Sequence, residues 1–156
     1  MADGIPLPGQ AAPAFTVSST AGDLSLETLL QTGRVVLAFY AEDGTPSCGA
    51  EISMLKDASE MVREFGAQIV AVSADSLESH AVFAARLGGV PFPLASDPDL
   101  TAASAYDVVD DENGKRARRA VFVIDRDGTV LLSLPHFQPN NVAHMEMIFG
   151  ALGVEV

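Results

Sequence analysis

The sequence predicts an α/β protein built on a central sheet of mixed strand direction, with helices packed against it. Three observations support this. The runs Val35–Tyr40, Ala67–Ser73 and Ala120–Ile124 are almost wholly apolar, as strands covered on both faces are. Segments of helical period follow the first two runs. Near both ends of the chain, apolar stretches flank turn-rich links, the pattern of hairpins.

Taken in order, residues 1–14 hold three of the nine prolines and read as an extended lead-in. Phe15–Val17 and Leu24–Leu26 alternate on either side of the link 18–23 and predict a hairpin. A short helix is expected over Leu26–Gln31, closed by Gly33. After the strand Val35–Tyr40, Thr45 is a good N-cap and Pro46 a preferred first helical residue. Ile52, Leu55, Val62 and Phe65 keep the helical period until Gly66. Ser76 opens a helix reaching about Leu87, and Gly88–Gly89 stop it. Val90–Ala95 is expected to be extended at best, since Pro91 and Pro93 do not fit a central ladder. Ser96–Asp99 is expected to begin a short helix ending near Tyr106. Asp125–Gly128 turns the strand Ala120–Ile124 back into Thr129–Leu134. Pro139 and Asn140 introduce a last amphipathic helix through Leu152.

At 156 residues the expectation is one domain spanning 1–156, long enough to bury roughly 70% of its unfolded surface. Nine basic against 21 acidic residues give a net charge of −12, which disfavours nucleic acid and anionic membranes as partners. No apolar run approaches the ~20 residues that span a bilayer, and no signal peptide is visible at the first residues, so a cytoplasmic location is expected. A single cysteine, Cys48, excludes an intrachain disulfide and a cysteine-based zinc cluster.

That cysteine falls at the third position of the helix predicted after Thr45, just past the carboxyl end of a buried strand. Unpaired N–H groups and the positive end of the helix dipole favour a thiolate there, and the thiolate is the reactive form. Ligands of open α/β sheets also sit beyond the carboxyl ends of strands. A buried structural cysteine is the plain alternative. Redox turnover at a lone cysteine has to borrow a thiol from another molecule.

The residues around Cys48 resemble the peroxidatic motif of peroxiredoxins of the AhpC/TSA family, P-x-x-x-T-x-x-C, in Thr45-Pro-Ser-Cys48, with Glu51 following. Gly9-Gln-Ala-Ala-Pro-Ala-Phe15 is similar to the family's G-x-x-A-P-x-F opening, and Phe39-Tyr40 to the residues before its loop. Arg119-Ala-Val-Phe-Val-Ile-Asp125-Arg-Asp-Gly128 is similar to R-x-x-F-(I/V)-I-D-x-x-G. The resemblance implies a thioredoxin-like fold and reduction of hydrogen peroxide and organic hydroperoxides through a sulfenic acid at Cys48. It implies that Thr45 hydrogen-bonds the thiolate and peroxide, and that Arg119 stabilises the thiolate and developing oxyanion. It also implies an external thiol reductant (thioredoxin, a glutaredoxin-like protein or a small thiol) and a homodimer, with no cofactor. Two positions depart from the pattern. Ala41 stands where the motif has its proline, and Ser53 stands where some subfamilies carry a second cysteine, so the chain reads as the one-cysteine type. A thioredoxin-type disulfide reductase is the second reading, but Thr45 occupies the first position of its C-x-x-C. A non-catalytic redoxin-like sensor is the third.

Other residues read more plainly. Lys115, Arg116 and Arg118 are expected to be solvated charges balancing Asp110–Glu112. Strand alternation gives the thiol only one of Arg118 and Arg119, and spacing leaves open which. Glu51 lies one turn beyond Cys48 on the same helix face, either to orient the arginine or as ordinary first-turn charge. Tyr40 and Phe39 read as core, with the Tyr40 hydroxyl within possible reach of the pocket. His80, His136 and His144 share no ligand spacing, so no metal site is expected, and His136 reads as a surface residue.

Overall fold

The computed structural model describes residues 4–153, the side chain of Ser47 excepted. Of the extended lead-in expected over 1–14, residues 1–3 lie outside the described residues. The remainder runs beside the chain's last hairpin, where Gly9 N donates to Val130 O and Ala12 N to Gly128 O.

The hairpin forms from β1 (Thr16–Ser19) and β2 (Leu24–Ser25), and Ser25 caps α1 (Leu26–Leu30). Next come β3 (Arg34–Phe39), α2 (Pro46–Glu64), β4 (Ala67–Ser73) and α3 (Leu77–Arg86). The chain continues through β5 (Leu94–Ser96), α4 (Thr101–Ala105), β6 (Ala120–Ile124), β7 (Val130–Leu134) and α5 (Val142–Ala151). Seven strands make one sheet in the order β2-β1-β5-β4-β3-β6-β7. β3, β4 and β5 run parallel, while β1, β6 and β7 pair antiparallel, so the sheet is mixed as expected.

Two expectations need correction. Leu94–Ser96 is a true strand, hydrogen-bonded between β4 and β1. The prolines precede its ladder instead of interrupting it, and the carbonyl of Pro93 still accepts from Ala71 N at 3.1 Å. Ser96 therefore ends a strand and does not start a helix. The helix begins at Thr101, after Leu100 turns left-handed at φ 57°. The Asp97 carboxylate reaches across that turn to accept from Ala102 N (3.1 Å) and Ala103 N (3.0 Å). A cap supplied from outside the adjacent position satisfies the same orphan N–H groups.

Strand alternation divides the apolar residues between two cores. Val36, Ala38, Tyr40, Val121 and Val123 face α2 and α5 with Ile52, Leu55 and Ile148. Val35, Leu37, Phe39, Ala120, Phe122 and Ile124 face α1 and α4 with Leu29, Ala103 and Tyr106. β3 is buried on both faces, which is why its sequence carries no polar phase. The site is built where β3 ends and α2 begins, at the centre of this sheet.

Candidate active site

Cys48 is 1% exposed in the first turn of α2. Thr45 is the N-cap, its Oγ1 accepting from Cys48 N at 3.3 Å and its carbonyl from Gly49 N at 2.8 Å. Pro46 sets the first helical φ without wasting a donor. The local sequence thus dictates a capped, N-terminal position for the sulfur. Gly44, at φ +83°, lets the chain turn from the loop 41–45 into this cap.

Arg119 and Arg118 go to opposite sides of the sheet. Residues 121 and 123 belong to the α2 core and 120 and 122 to the α4 core, so alternation carried one step upstream sends Arg119 toward Cys48. Arg118 instead donates from Nη2 to Asp107 O at 2.8 Å and lies 3.6 Å from Asp111. Arg118 thus balances Asp111 as expected but is largely covered instead of solvated. Arg116 is the partly exposed charge expected: it balances Asp110 (2.9 Å) and also reaches Glu42 (3.1 Å), which ties the β6 entrance to the loop before Cys48. Lys115 is exposed, as expected.

Glu51 is fully buried, and neither carboxyl oxygen has a hydrogen-bond partner among the described residues. Burial pushes its pKa well above the usual carboxyl range, electrostatic interaction with Cys48 adds to that, and Arg119 opposes it. The buried Nε of Arg119 is likewise without a partner. Arg119 also lines a cavity of about 650 Å³ between Ala50 and the segment 138–143. Glu51 thus feels both Cys48 and Arg119, and Arg119 reaches a cavity large enough for a small organic molecule.

On the other side of the loop 41–45 lies a polar cluster that sequence spacing did not indicate. Asp43 accepts from Tyr40 Oη (2.7 Å), from Ser79 Oγ (2.7 Å) and from His80 Nδ1 (2.8 Å). Its own N–H donates to Asp75 Oδ2 at 2.9 Å, and Ser73 Oγ donates to that same oxygen at 2.6 Å. His80 is fully buried, with Nε2 2.8 Å from the carbonyl of Ala95. Burial alone would lower the pKa of His80, but hydrogen bonding to Asp43, the Asp43 charge and the Ala95 carbonyl together raise it. Asp43 is held below the usual carboxylate range by its three side-chain donors, against the opposing effect of its burial. Tyr40 is neutral, its pKa pushed far up by burial and then by Asp43. The Tyr40 hydroxyl therefore serves this cluster, and its ring packs in the core, 6.1 Å from Phe83.

Asp43, Asp75 and His80 place ligand-type atoms within 4.8 Å of one another, as a metal site would. Their lone pairs are already turned onto the donors of this network, so the set fits a hydrogen-bonded structural cluster better than a coordination sphere. His136 is exposed, and the His144 imidazole accepts from Gln138 N at 3.1 Å, so neither joins the site. Among the described residues no helix is long and apolar enough to cross a membrane.

Comparison with known proteins agrees with this architecture. A sequence profile of the AhpC/TSA family matches residues 8–133. A protein of Coxiella burnetii named for the bcp peroxiredoxins is 31% identical over 149 residues, covering 92% of this chain and 97% of its own. The chloroplast peroxiredoxin Q of Sedum lineare is 33% identical over 132 residues, covering 84% of this chain and 70% of its own. The crystal structure of peroxidoxin BcpB from Mycobacterium tuberculosis superposes with a TM-score of 0.82 at 31% identity, over 95% of this chain and 97% of that one. The fold is thioredoxin-like, and the chain belongs to the AhpC/TSA family. It is a peroxiredoxin, a thiol-dependent peroxidase, with the single cysteine of the one-cysteine type.

Proposed function

We propose that Cys48 is the peroxidatic nucleophile, assisted by Thr45 and Arg119, with Glu51 and Tyr40 in supporting positions. The observation that carries this reading is the burial of the chain's one thiol in the capped first turn of α2, coupled to Glu51 and with Arg119 turned toward it. The Cys48 thiolate attacks the terminal oxygen of a hydroperoxide. An S–O bond forms as the O–O bond breaks, and the leaving oxygen takes up a proton to depart as water or an alcohol. Thr45 Oγ1, which accepts from Cys48 N, hydrogen-bonds the thiolate and the incoming peroxide in this mechanism. The Arg119 guanidinium stabilises the charge that develops on the leaving oxygen. Burial raises the pKa of Glu51, which lessens the negative charge it sets against the thiolate.

The product is a Cys48 sulfenic acid. With no second cysteine in the chain, an external thiol attacks that sulfur and expels water, forming a mixed disulfide. A further thiol then releases Cys48 and leaves the reductant oxidised. The reductant is thioredoxin, a glutaredoxin-like protein or a small thiol, and the working assembly is a homodimer. A free thiol cycling through sulfenic acid suits a reducing compartment, and the cytoplasm is the proposed location.

Stoichiometric hydrogen peroxide in the presence of a sulfenic-acid trap should shift the protein by the mass of one adduct at Cys48, and Cys48→Ser should abolish both adduct and turnover. An unmodified Cys48 would reject the reading. Feeding the oxidised protein with each thiol in turn identifies the reductant. Sedimentation velocity tests the dimer, and cell fractionation the location.

A further inference from the structure

We propose that His80 and Asp43 are positioning residues for the peroxidase reaction: a buried imidazolium–carboxylate pair that fixes the loop 41–45 and, through it, Thr45 and Cys48. The proposal rests on the reading of Cys48 as the peroxidatic thiol. Geometry and electrostatics together set the protonation state. Ala95 O accepts and cannot donate, so at 2.8 Å His80 Nε2 carries a proton. Nδ1 stands 2.8 Å from Asp43 Oδ2 and 3.1 Å from Tyr40 Oη, and the one Tyr40 proton is directed to Asp43 Oδ1 at 2.7 Å. The Nδ1–Oδ2 contact therefore needs a proton between them, and the lowered pKa of Asp43 with the raised pKa of His80 puts it on the ring. The ring therefore bears a positive charge at zero exposure, matched by a carboxylate whose side chain is 6% exposed.

The pair acts on the loop because Asp43 is its anchor. Between Tyr40 and Thr45, Glu42 and Gly44 are exposed and Ala41 is half-buried, while the Asp43 side chain points inward to α3. Asp43 also donates its N–H to Asp75, so both its backbone and its side chain are held. Two residues further on, Thr45 caps the turn that carries Cys48. Freeing Asp43 would leave the loop held chiefly by the exposed Arg116–Glu42 contact, and Thr45 Oγ1 would lose its fixed place over the Cys48 amide. The groups facing His80 are Tyr40 from the end of β3, Asp43 from the loop, Asp75 from the β4–α3 link and the Ala95 carbonyl of β5. Asp43, Asp75 and the Ala95 carbonyl favour the charged ring, against the effect of burial. The raised His80 pKa means the latch is complete below the ordinary histidine range and opens as pH rises through the folded value.

The test is the pH profile of Cys48 oxidation by hydrogen peroxide, measured by quenched flow with a sulfenic-acid trap on wild type and His80→Asn. Wild type should show an alkaline fall that coincides with deprotonation of His80, followed by its ring-proton NMR shift. His80→Asn should react at least tenfold more slowly near neutral pH and lack the alkaline fall. A folded His80→Asn with the wild-type rate and profile would overturn the proposal. If that variant does not fold, the wild-type NMR titration decides: a His80 that is neutral at pH 7, or that titrates with no change in rate, overturns it equally. Wild-type Cys48 unreactive at every pH would instead defeat the peroxidase reading itself.

Discussion

Two buried polar groups flank the loop 41–45, and they are wired in opposite ways. On the α3 side, Tyr40, Asp43, Ser73, Asp75, Ser79 and His80 satisfy one another through hydrogen bonds of 2.6–3.1 Å. On the α2 side, both Glu51 oxygens and Arg119 Nε are buried without a partner among the described residues. A buried polar atom left unbonded costs about 1–3 kcal/mol, so such atoms rarely persist without a reason. The contrast separates two tasks. The saturated cluster holds the loop in one geometry, whereas the unsatisfied one keeps donors and charge available for a reacting molecule.

The largest effect should come from breaking the saturated side. Asp43→Asn keeps the shape but leaves the His80 imidazolium without its counter-ion. Stripping one partner from a buried pair costs about 3–5 kcal/mol, a large share of the 5–15 kcal/mol that holds a domain together. The sign with pH follows from the two shifts. The lowered pKa of Asp43 gives stability that is present above the ordinary carboxylate value and lost as pH falls through the folded one. The raised pKa of His80 gives stability that is present below the ordinary histidine value and lost as pH rises. Wild type and Asp43→Asn should therefore differ most in melting temperature between those limits and converge at strongly acid pH. A uniform difference at every pH would mean the pair is not ionic.

Next in size is the reactive side. Arg119→Ala should slow Cys48 oxidation by about 10²-fold, the scale of one lost transition-state donor, with little change in melting temperature. Arg118→Ala should do the reverse. It removes a hydrogen bond to Asp107 O, worth about 1 kcal/mol or somewhat more, and should leave the rate within roughly threefold because its side chain faces the other core. Equal losses of rate in both variants would erase the distinction drawn from strand alternation.

That distinction also shows what the sequence could disclose. The three apolar strands, the Thr45 cap and Pro46 are local signals, and all appear in place. Cys48 was legible as chemistry because cap, proline and strand end are contiguous with it. Choosing between Arg118 and Arg119 needed the phase of β6, which a run apolar on both faces conceals and only its pairing with β3 reveals. The His80 cluster was hidden for a different reason. Asp43 and His80 are 37 positions apart and meet only because parallel pairing of β3 with β4 brings their carboxyl ends together. One faint signal existed: Asp43 and Asp75 each lie just beyond the end of one of two buried strands, where parallel neighbours converge. β5 was obscured because Pro91 and Pro93 masked the three ladder residues that follow them.

The smallest effect sharpens the comparison most. Glu51 has a raised pKa, so the folded chain keeps a proton there that the unfolded chain releases above about pH 4.3. Stability contributed at this position therefore falls as pH rises from that value toward the folded one. Glu51→Gln cannot ionise and escapes the penalty. The variant should melt with wild type near pH 4 and roughly 2–4 °C higher at pH 8, the shift that about 1 kcal/mol makes in a chain of this size. Removing the opposing charge with Arg119→Ala should push Glu51 further up, extending the pH-dependent loss to higher pH, and Glu51→Gln added to that background should flatten it. Calorimetry across pH 4–8 on the four proteins decides. Parallel curves for wild type and Glu51→Gln would show Glu51 ionised and paired with Arg119 in solution, and the α2 side would then be as fully wired as the cluster around His80.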